Sequence, residues 1–398
     1  MDNEIRIKLG NRITTDNCKD TEENLNSIIS ENEGKDIILD CDALEYVSSS
    51  GLRVFLKIKK QYGSLKLVNV SNEVYEILDV TGFSSMLEVE KKRRRLSIKD
   101  ATIIGDGCFS EVFRIDRETI VKVYIKDTEI DEIQRELDLA KQGFVLGLPT
   151  AISYDIVEIA DKPVIKDTDE ESGKIYLGVV FELLDCRLFR DELRDNMDKY
   201  EESVEKYAEL LKTINTTDVG KTNLPKAKEV ELDKLERNKK YMTEAEYEKM
   251  KALLEELPDT NTFIHGDCHV KNIMVNKGEF ILIDMDTLVS GYPIFELSKI
   301  LAAYIAFPYK EPGNALSFFG IPDEIAAKLF YDTVRIYFGN ISDDDFEDNI
   351  KKIKLVAANH MMYWVERYGG KNPVNAHIDY EIFKKYINEV DSLLLKLG

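Results

Sequence analysis

The stretch FIHGDCHVKNIMVNKGEFILIDMD, residues 263–286, restricts the folds open to this chain more than any other. It holds two histidines, a cysteine, Asn272 and three aspartates, and its second half reads as a β-hairpin. The apolar runs Ile273–Val275 and Phe280–Ile283 flank Asn276-Lys277-Gly278, and a glycine just after a polar turn residue marks a tight reversal. A hairpin there folds the chain back on itself. Asp284 then arrives beside Asn272, with Asp267 one short loop away.

Two chemistries compete for such a cluster. A structural zinc site usually draws on two separated ligand pairs. Here His265, Asp267, Cys268 and His269 crowd together, while His360 and His377 lie far off in sequence. Phosphoryl transfer instead needs an aspartate to orient and deprotonate a hydroxyl, plus a few oxygen ligands for Mg²⁺, which keeps water and phosphate oxygens in its shell. Singly, Asp267 reads as a loop acid, Asn272 as a turn former and Asp284 as a helix cap. Phosphoryl transfer accounts for them jointly, provided that the chain upstream supplies a nucleotide site.

It does. TIIGDGCFSEVFRIDRETIVKVYI, residues 102–125, reads as strand, glycine-rich turn, strand, turn, strand. Gly105 and Gly107 would let backbone amides approach a triphosphate, Ser110 could donate a hydrogen bond, and Val112 would cover a base. Lys122 sits inside the apolar run TIVKVYI, where a buried ammonium needs a partner. In the following helix Ile133, Leu137, Ala140 and Phe144 form an apolar stripe. Glu136, three after Ile133 and four before Ala140, faces inward with them. Glu136 is therefore the expected partner of Lys122, with Glu132 the second choice. Further on, KIYLGVVFELLDCRLF reads as a buried strand that turns polar at Glu182-Leu183-Leu184.

A different character precedes the basic run Lys91–Arg95, which reads as a linker. DIILDCD and SLKLVNV look like short buried strands. GLRVFLKIKKQYG carries Leu52, Phe55 and Leu56 on one helical stripe, and SNEVYEILDVTGF repeats the pattern with Val74, Ile77 and Leu78 behind the N-cap Ser71. Strand, helix, strand, helix implies a small α/β layer.

The 398-residue length allows two or three domains, and the 43% hydrophobic content is enough for real cores. A net charge of −21 disfavours a nucleic-acid partner, which needs phosphate neutralisation by Lys and Arg. The start lacks the pattern of a secretory signal, and no stretch approaches an apolar membrane span. Five cysteines without CxxC spacing fit a reducing cytoplasm.

ILDCDALEYVSSSGLRVFLKI…GSLKLVNVSNEVYEILDVTGF resembles the STAS family of anti-sigma factor antagonists, over roughly residues 1–92. That resemblance implies a protein partner and a phosphorylated serine at the start of the second helix, which is Ser49 here. The family often has an aspartate just before that serine, where this chain has Ser48. The same hydroxyls also suit simple helix capping.

Residues 97–398 resemble the aminoglycoside phosphotransferase and choline kinase branch of the protein-kinase-like fold, in which the loop reads His-Gly-Asp, as at His265–Asp267. The resemblance implies an α+β bilobal domain with an N-lobe to about residue 184 and a helical C-lobe from about 185. It implies Asp267 as catalytic base, Asn272 and Asp284 as Mg²⁺ ligands, Asp286 as a supporting acid and His265 as a brace. Lys122 would hold the α- and β-phosphates of ATP or GTP, and Glu182 and Leu184 the base. No protein-kinase activation segment follows Asp284, so the implied acceptor is a small molecule, cationic in the related enzymes. Two alternatives stand beside it: a kinase acting on Ser49 in its own or a sister chain, and a nucleotide-sensing pseudokinase scaffold.

Overall fold

The computed structural model describes residues 4–106, 110–124, 128–161, 176–222, 224–368 and 373–390. Gly107 lies outside the described residues. The chain divides into two compact units after Ser97, and the end of strand Ser153–Asp161 groups with the first. No helix among the described residues is long and apolar enough to cross a membrane.

The first unit is an α/β layer. Strands Glu4–Lys8, Asp36–Asp40, Lys66–Val70 and Glu88–Lys91 form a parallel sheet in that order. Helices Cys18–Ser30, Ser49–Tyr62 and Asn72–Val80 connect them. Leu39, Leu67, Phe55, Val74 and Leu78 are fully buried. Val54 and Ile58 complete the stripe of the second helix, while Leu56 is only half-buried. Ser71 caps its helix by accepting from the Val74 amide at 3.3 Å. Ser48 caps the helix before it, accepting from the Gly51 amide at 3.2 Å. Position 51 must be glycine, because a Cβ there would lie 2.7 Å from a methyl of Ile13 and 2.8 Å from one of Val47.

The second unit opens on antiparallel strands Thr102–Asp106, Ser110–Arg114, Thr119–Tyr124 and Tyr176–Glu182, with Thr119–Tyr124 paired to both its neighbours in the sheet. Lys122 stands opposite Val112 on one side and Val179 on the other, so the three share a face. Helix Ile130–Val145 buries Ile133, Glu136, Leu137, Leu139 and Ala140. Phe144 departs from the expected stripe and is 46% exposed. Gly143 faces inward instead, where a Cβ would meet Met285 at 3.2 Å and Leu148 at 3.3 Å, leaving no room for a ring.

A helical lobe follows, including Tyr200–Thr216, Ala227–Asn238, Ile294–Leu301, Asp323–Phe338 and Asp343–Tyr368. Phe189, Tyr207, Phe263, Phe295, Tyr304 and Phe330 fill its core. Ile294–Leu301 runs on into a π-helical turn, Ala302–Ala306. Strands Ile273–Asn276 and Glu279–Leu282 form the expected hairpin. Lys277 and Gly278 both have positive φ, at 49° and 86°, the two-residue reversal whose twist matches flanking strands.

Candidate active site

The hairpin and the loop before it bring Asp267, Asn272 and Asp284 to one place. Asn272 Nδ2 donates to the Asp267 carbonyl and to its Oδ2, each at 2.9 Å, which fixes one carboxylate oxygen of Asp267 against the loop. Asp284 adopts φ 64°, a left-handed conformation that Asp and Asn tolerate better than most residues. Its Oδ1 accepts from Lys122 Nζ at 2.9 Å, and Lys122 also reaches Glu136 Oε1 at 2.7 Å. Glu132 is exposed and takes no part. Tyr124 OH donates to the other Glu136 oxygen at 2.5 Å, so both oxygens of that buried acid are engaged.

These charges set one another. Burial works against the Lys122 ammonium, but Asp284 and Glu136 outweigh it and raise its pKa. Burial also opposes the Asp284 carboxylate, and Lys122 nonetheless holds it below the usual range. Asp286 has no ion pair among the described residues. Burial, then the charges of Asp284 and Glu136, push its carboxyl up to about 7.

The loop carrying Asp267 is tied down from four directions. Glu296, fully buried, accepts from the His265 amide at 2.6 Å and the Gly266 amide at 3.1 Å. Thr287 Oγ1 donates to the His265 carbonyl at 2.7 Å. Tyr304 OH accepts from the Val270 amide at 2.8 Å, and Tyr207 OH donates to the Cys268 carbonyl. His265 Nδ1 accepts from the Asp267 amide at 3.3 Å, so its Nε2 carries the proton that meets the Ile283 carbonyl at 3.3 Å. Both nitrogens of that ring serve the backbone. Gly266, at φ 84°, has Thr287 O 2.9 Å and Lys299 Nζ 3.0 Å from where a Cβ would sit.

Other expected residues are placed as follows. Gly105 packs on Val112, where a Cβ would lie 3.3 Å from the valine Cβ. Ser110 opens the next strand. Glu182 is engaged with Ile152 at both ends: its Oε1 accepts from the Ile152 amide at 2.7 Å, and its own amide donates to the Ile152 carbonyl at 2.9 Å. The Leu184 amide has no hydrogen-bond partner among the described residues. Asn272 Oδ1 and Asp284 Oδ2 accept no hydrogen bond from a described residue. Two open oxygens of this kind suit a hard cation that completes its shell with water and phosphate.

Sequence reasoning missed Glu296, Thr287, Tyr207 and Tyr304. The one signal was an acid inside the apolar run of PIFELSKI. Burial pushes the Glu296 carboxyl up to about 7 from an ordinary 4.5, against the pull of the two amides. The folded chain therefore keeps a proton there that the unfolded chain releases. Stability from this group falls as pH rises from 4.5 to about 7 and is level above. Glu296→Gln is expected to flatten that slope, on the order of 3 kcal/mol, in denaturation midpoints compared on either side of the window. A variant as pH-dependent as wild type would remove Glu296 as the cause.

The model described as the phosphotransferase enzyme family matches residues 101–317, and the STAS domain model matches residues 2–96. The anti-sigma-B factor antagonist of Bacillus subtilis is 28% identical over 95 residues, 23% of this chain and 85% of that protein. A Bordetella bronchiseptica protein named as the anti-sigma factor antagonist BtrV is 32% identical over 85 residues, 20% of this chain and 72% of its own. Among solved structures, aminoglycoside phosphotransferase APH(4)-Ia matches with a TM-score of 0.47 at 11% identity, over 73% of this chain and 93% of that one. A choline/ethanolamine kinase family protein from Mesorhizobium loti matches with a TM-score of 0.46 at 12% identity, over 73% and 92%.

Proposed function

The chain belongs to the phosphotransferase enzyme family, with a STAS domain ahead of the phosphotransferase part, and on that premise we propose that it moves the γ-phosphoryl group of ATP, with Mg²⁺, to a hydroxyl of a small molecule. The observation that carries this reading is the ammonium of Lys122 bridging Glu136 and Asp284. A cation held in that way is ready to receive the α- and β-phosphates while Asp284 is released to a metal ion. Asn272 Oδ1 and Asp284 would hold the Mg²⁺, which when bound supplies charge neutralisation at the β- and γ-phosphates.

Asp267 is the base in this scheme. Asn272 holds its Oδ2, and its Oδ1 lies 3.4 Å from His269 Nε2. Burial lowers the His269 pKa, so that ring stays neutral. The acceptor hydroxyl hydrogen-bonds to Asp267, its oxygen attacks phosphorus in line, and its proton passes to the carboxylate as the bond to ADP breaks. The buttressed loop supplies the positioning, which is most of what an enzyme contributes to this reaction.

A second reading is favoured by one observation in the first unit. Ser48 does the capping, so the exposed Ser49 hydroxyl at the start of helix Ser49–Tyr62 has no partner among the described residues. Phosphate there would face the positive end of the helix. Incubating the full chain with Mg-ATP, with and without a panel of hydroxylated metabolites, separates the readings. ADP release that depends on a small acceptor supports the first. A phosphoryl mass on the Ser49 peptide makes the chain its own substrate. Neither ADP nor any phosphoryl mass would sink both.

A further inference from the structure

Three helices of the second unit, Ala227–Asn238, Ile294–Leu301 and Asp343–Tyr368, pack along a seam that is polar where helix packing usually takes apolar side chains. Glu231, Lys234 and Asn238 lie on one face of the first helix and are at least nine-tenths buried, as is Asn359 opposite them. The groups are joined: Asn238 Nδ2 donates to the Asn359 carbonyl at 2.8 Å, and Asn359 Nδ2 donates to Glu231 Oε2 at 3.2 Å. Lys234 pairs with Glu231 and also lies 2.9 Å from His360 Nδ1.

That last bond fixes the state of the imidazole. An ammonium only donates, so His360 Nδ1 accepts and the ring proton is on Nε2. Burial, then the charges of Lys234 and Lys299, keep the ring neutral. His360 Nε2–H has no hydrogen-bond partner among the described residues. Lys299 Nζ likewise has no hydrogen bond or ion pair there. It lies 3.0 Å from the point where a Gly266 side chain would begin, one residue from Asp267. Its ammonium is disfavoured by burial and by Lys234, with Glu231, Glu296 and Asp267 opposing.

Two donors therefore lack acceptors among the described residues on this seam, and one of them, Lys299, lies against the loop of the proposed base. Glu231 is paired directly with Lys234 and Glu296 is taken up by two loop amides, so Lys299 has no directly bonded carboxylate among the described residues. We propose that Lys299, with His360 Nε2–H, binds a carboxylate on the phosphoryl acceptor, which makes the acceptor a hydroxylated carboxylic acid rather than a polycation. A planar group with two oxygens and a single charge matches one ammonium and one N–H, and a charge-assisted bond of this kind is strong where water is partly excluded. A cationic acceptor would place like charge against Lys299. The assignment rests on the phosphotransferase reading above for the word acceptor, though the pair of open donors does not.

The test is calorimetric titration of the full chain with glycolate, with and without AMP-PNP, against tetramethylammonium at matched ionic strength. Glycolate is expected to bind saturably to wild type. Its Kd should rise about ten-fold or more in Lys299→Met and less in His360→Ala. AMP-PNP affinity in the same variants, within about two-fold of wild type, certifies the fold. Absence of saturable glycolate binding, equal affinity in Lys299→Met, or binding of tetramethylammonium in its place would overturn the proposal. If wild type bound glycolate but not AMP-PNP, the carboxylate site would stand and the phosphotransferase reading would fall.

Discussion

Asp267→Asn is expected to cut turnover by about three orders of magnitude while AMP-PNP affinity stays within about two-fold. The substitution is nearly isosteric. The side-chain carbonyl still accepts from Asn272 Nδ2, and the buttress of Glu296, Tyr304, Tyr207 and Thr287 touches only backbone of the loop. What is lost is a basic oxygen to take the proton of the attacking hydroxyl. His269 Nε2, 3.4 Å away, does not replace it, because burial holds that ring under the Phe318 and Phe319 rings. ADP release measured beside nucleotide calorimetry checks both halves. Turnover within ten-fold of wild type, on the order of the smallest general-base effects, would remove Asp267 from the role of base.

Lys122→Met is expected to damage activity and stability together, and a second substitution pulls the two apart. Removing the ammonium leaves Glu136 buried and Asp284 without its counter-ion, a cost of about 3 kcal/mol for the pair. AMP-PNP affinity should fall about ten-fold and turnover at least 100-fold, since the same ammonium is proposed to neutralise the phosphates. In Lys122→Met with Glu136→Gln the buried one of the two stranded charges is gone, and Asp284 is the more exposed, so most of the stability should return while turnover stays low. Urea unfolding and ADP release on the single and double variants read the two effects. Recovery of turnover in the double variant would mean that Lys122 matters only as a structural partner.

The parts of the site that the sequence made readable are those set by local geometry. A two-residue reversal between apolar runs places Asp284 near Asn272 through chain connectivity alone. The i, i+3, i+4 spacing of a helix aims Glu136 inward, and a lysine within an apolar strand asks for such a partner. Phe144 failed on the same rule, because the last turn of that helix meets Met285 and Leu148 too closely for a ring. Glu296 and Tyr304 act on loop backbone 30 or more residues away. No periodicity encodes that reach. Lys299 and His360 come together only once three helices have packed, and their significance lies in what they do not touch.

The left-handed seat of Asp284 narrows the ways in which descendants of this gene can change. Most side chains are strained at φ 64°, so drift at this position runs toward Asn or Gly, which the backbone accepts readily. Asn keeps an oxygen but gives up the charge facing Lys122, and Gly gives up both. On the role proposed for Asp284, a single substitution of either kind is expected to silence the chemistry while the backbone conformation is kept. On the same proposal, what survives is a nucleotide-binding fold joined to a STAS domain, so the shortest path out of catalysis would lead to a binding protein.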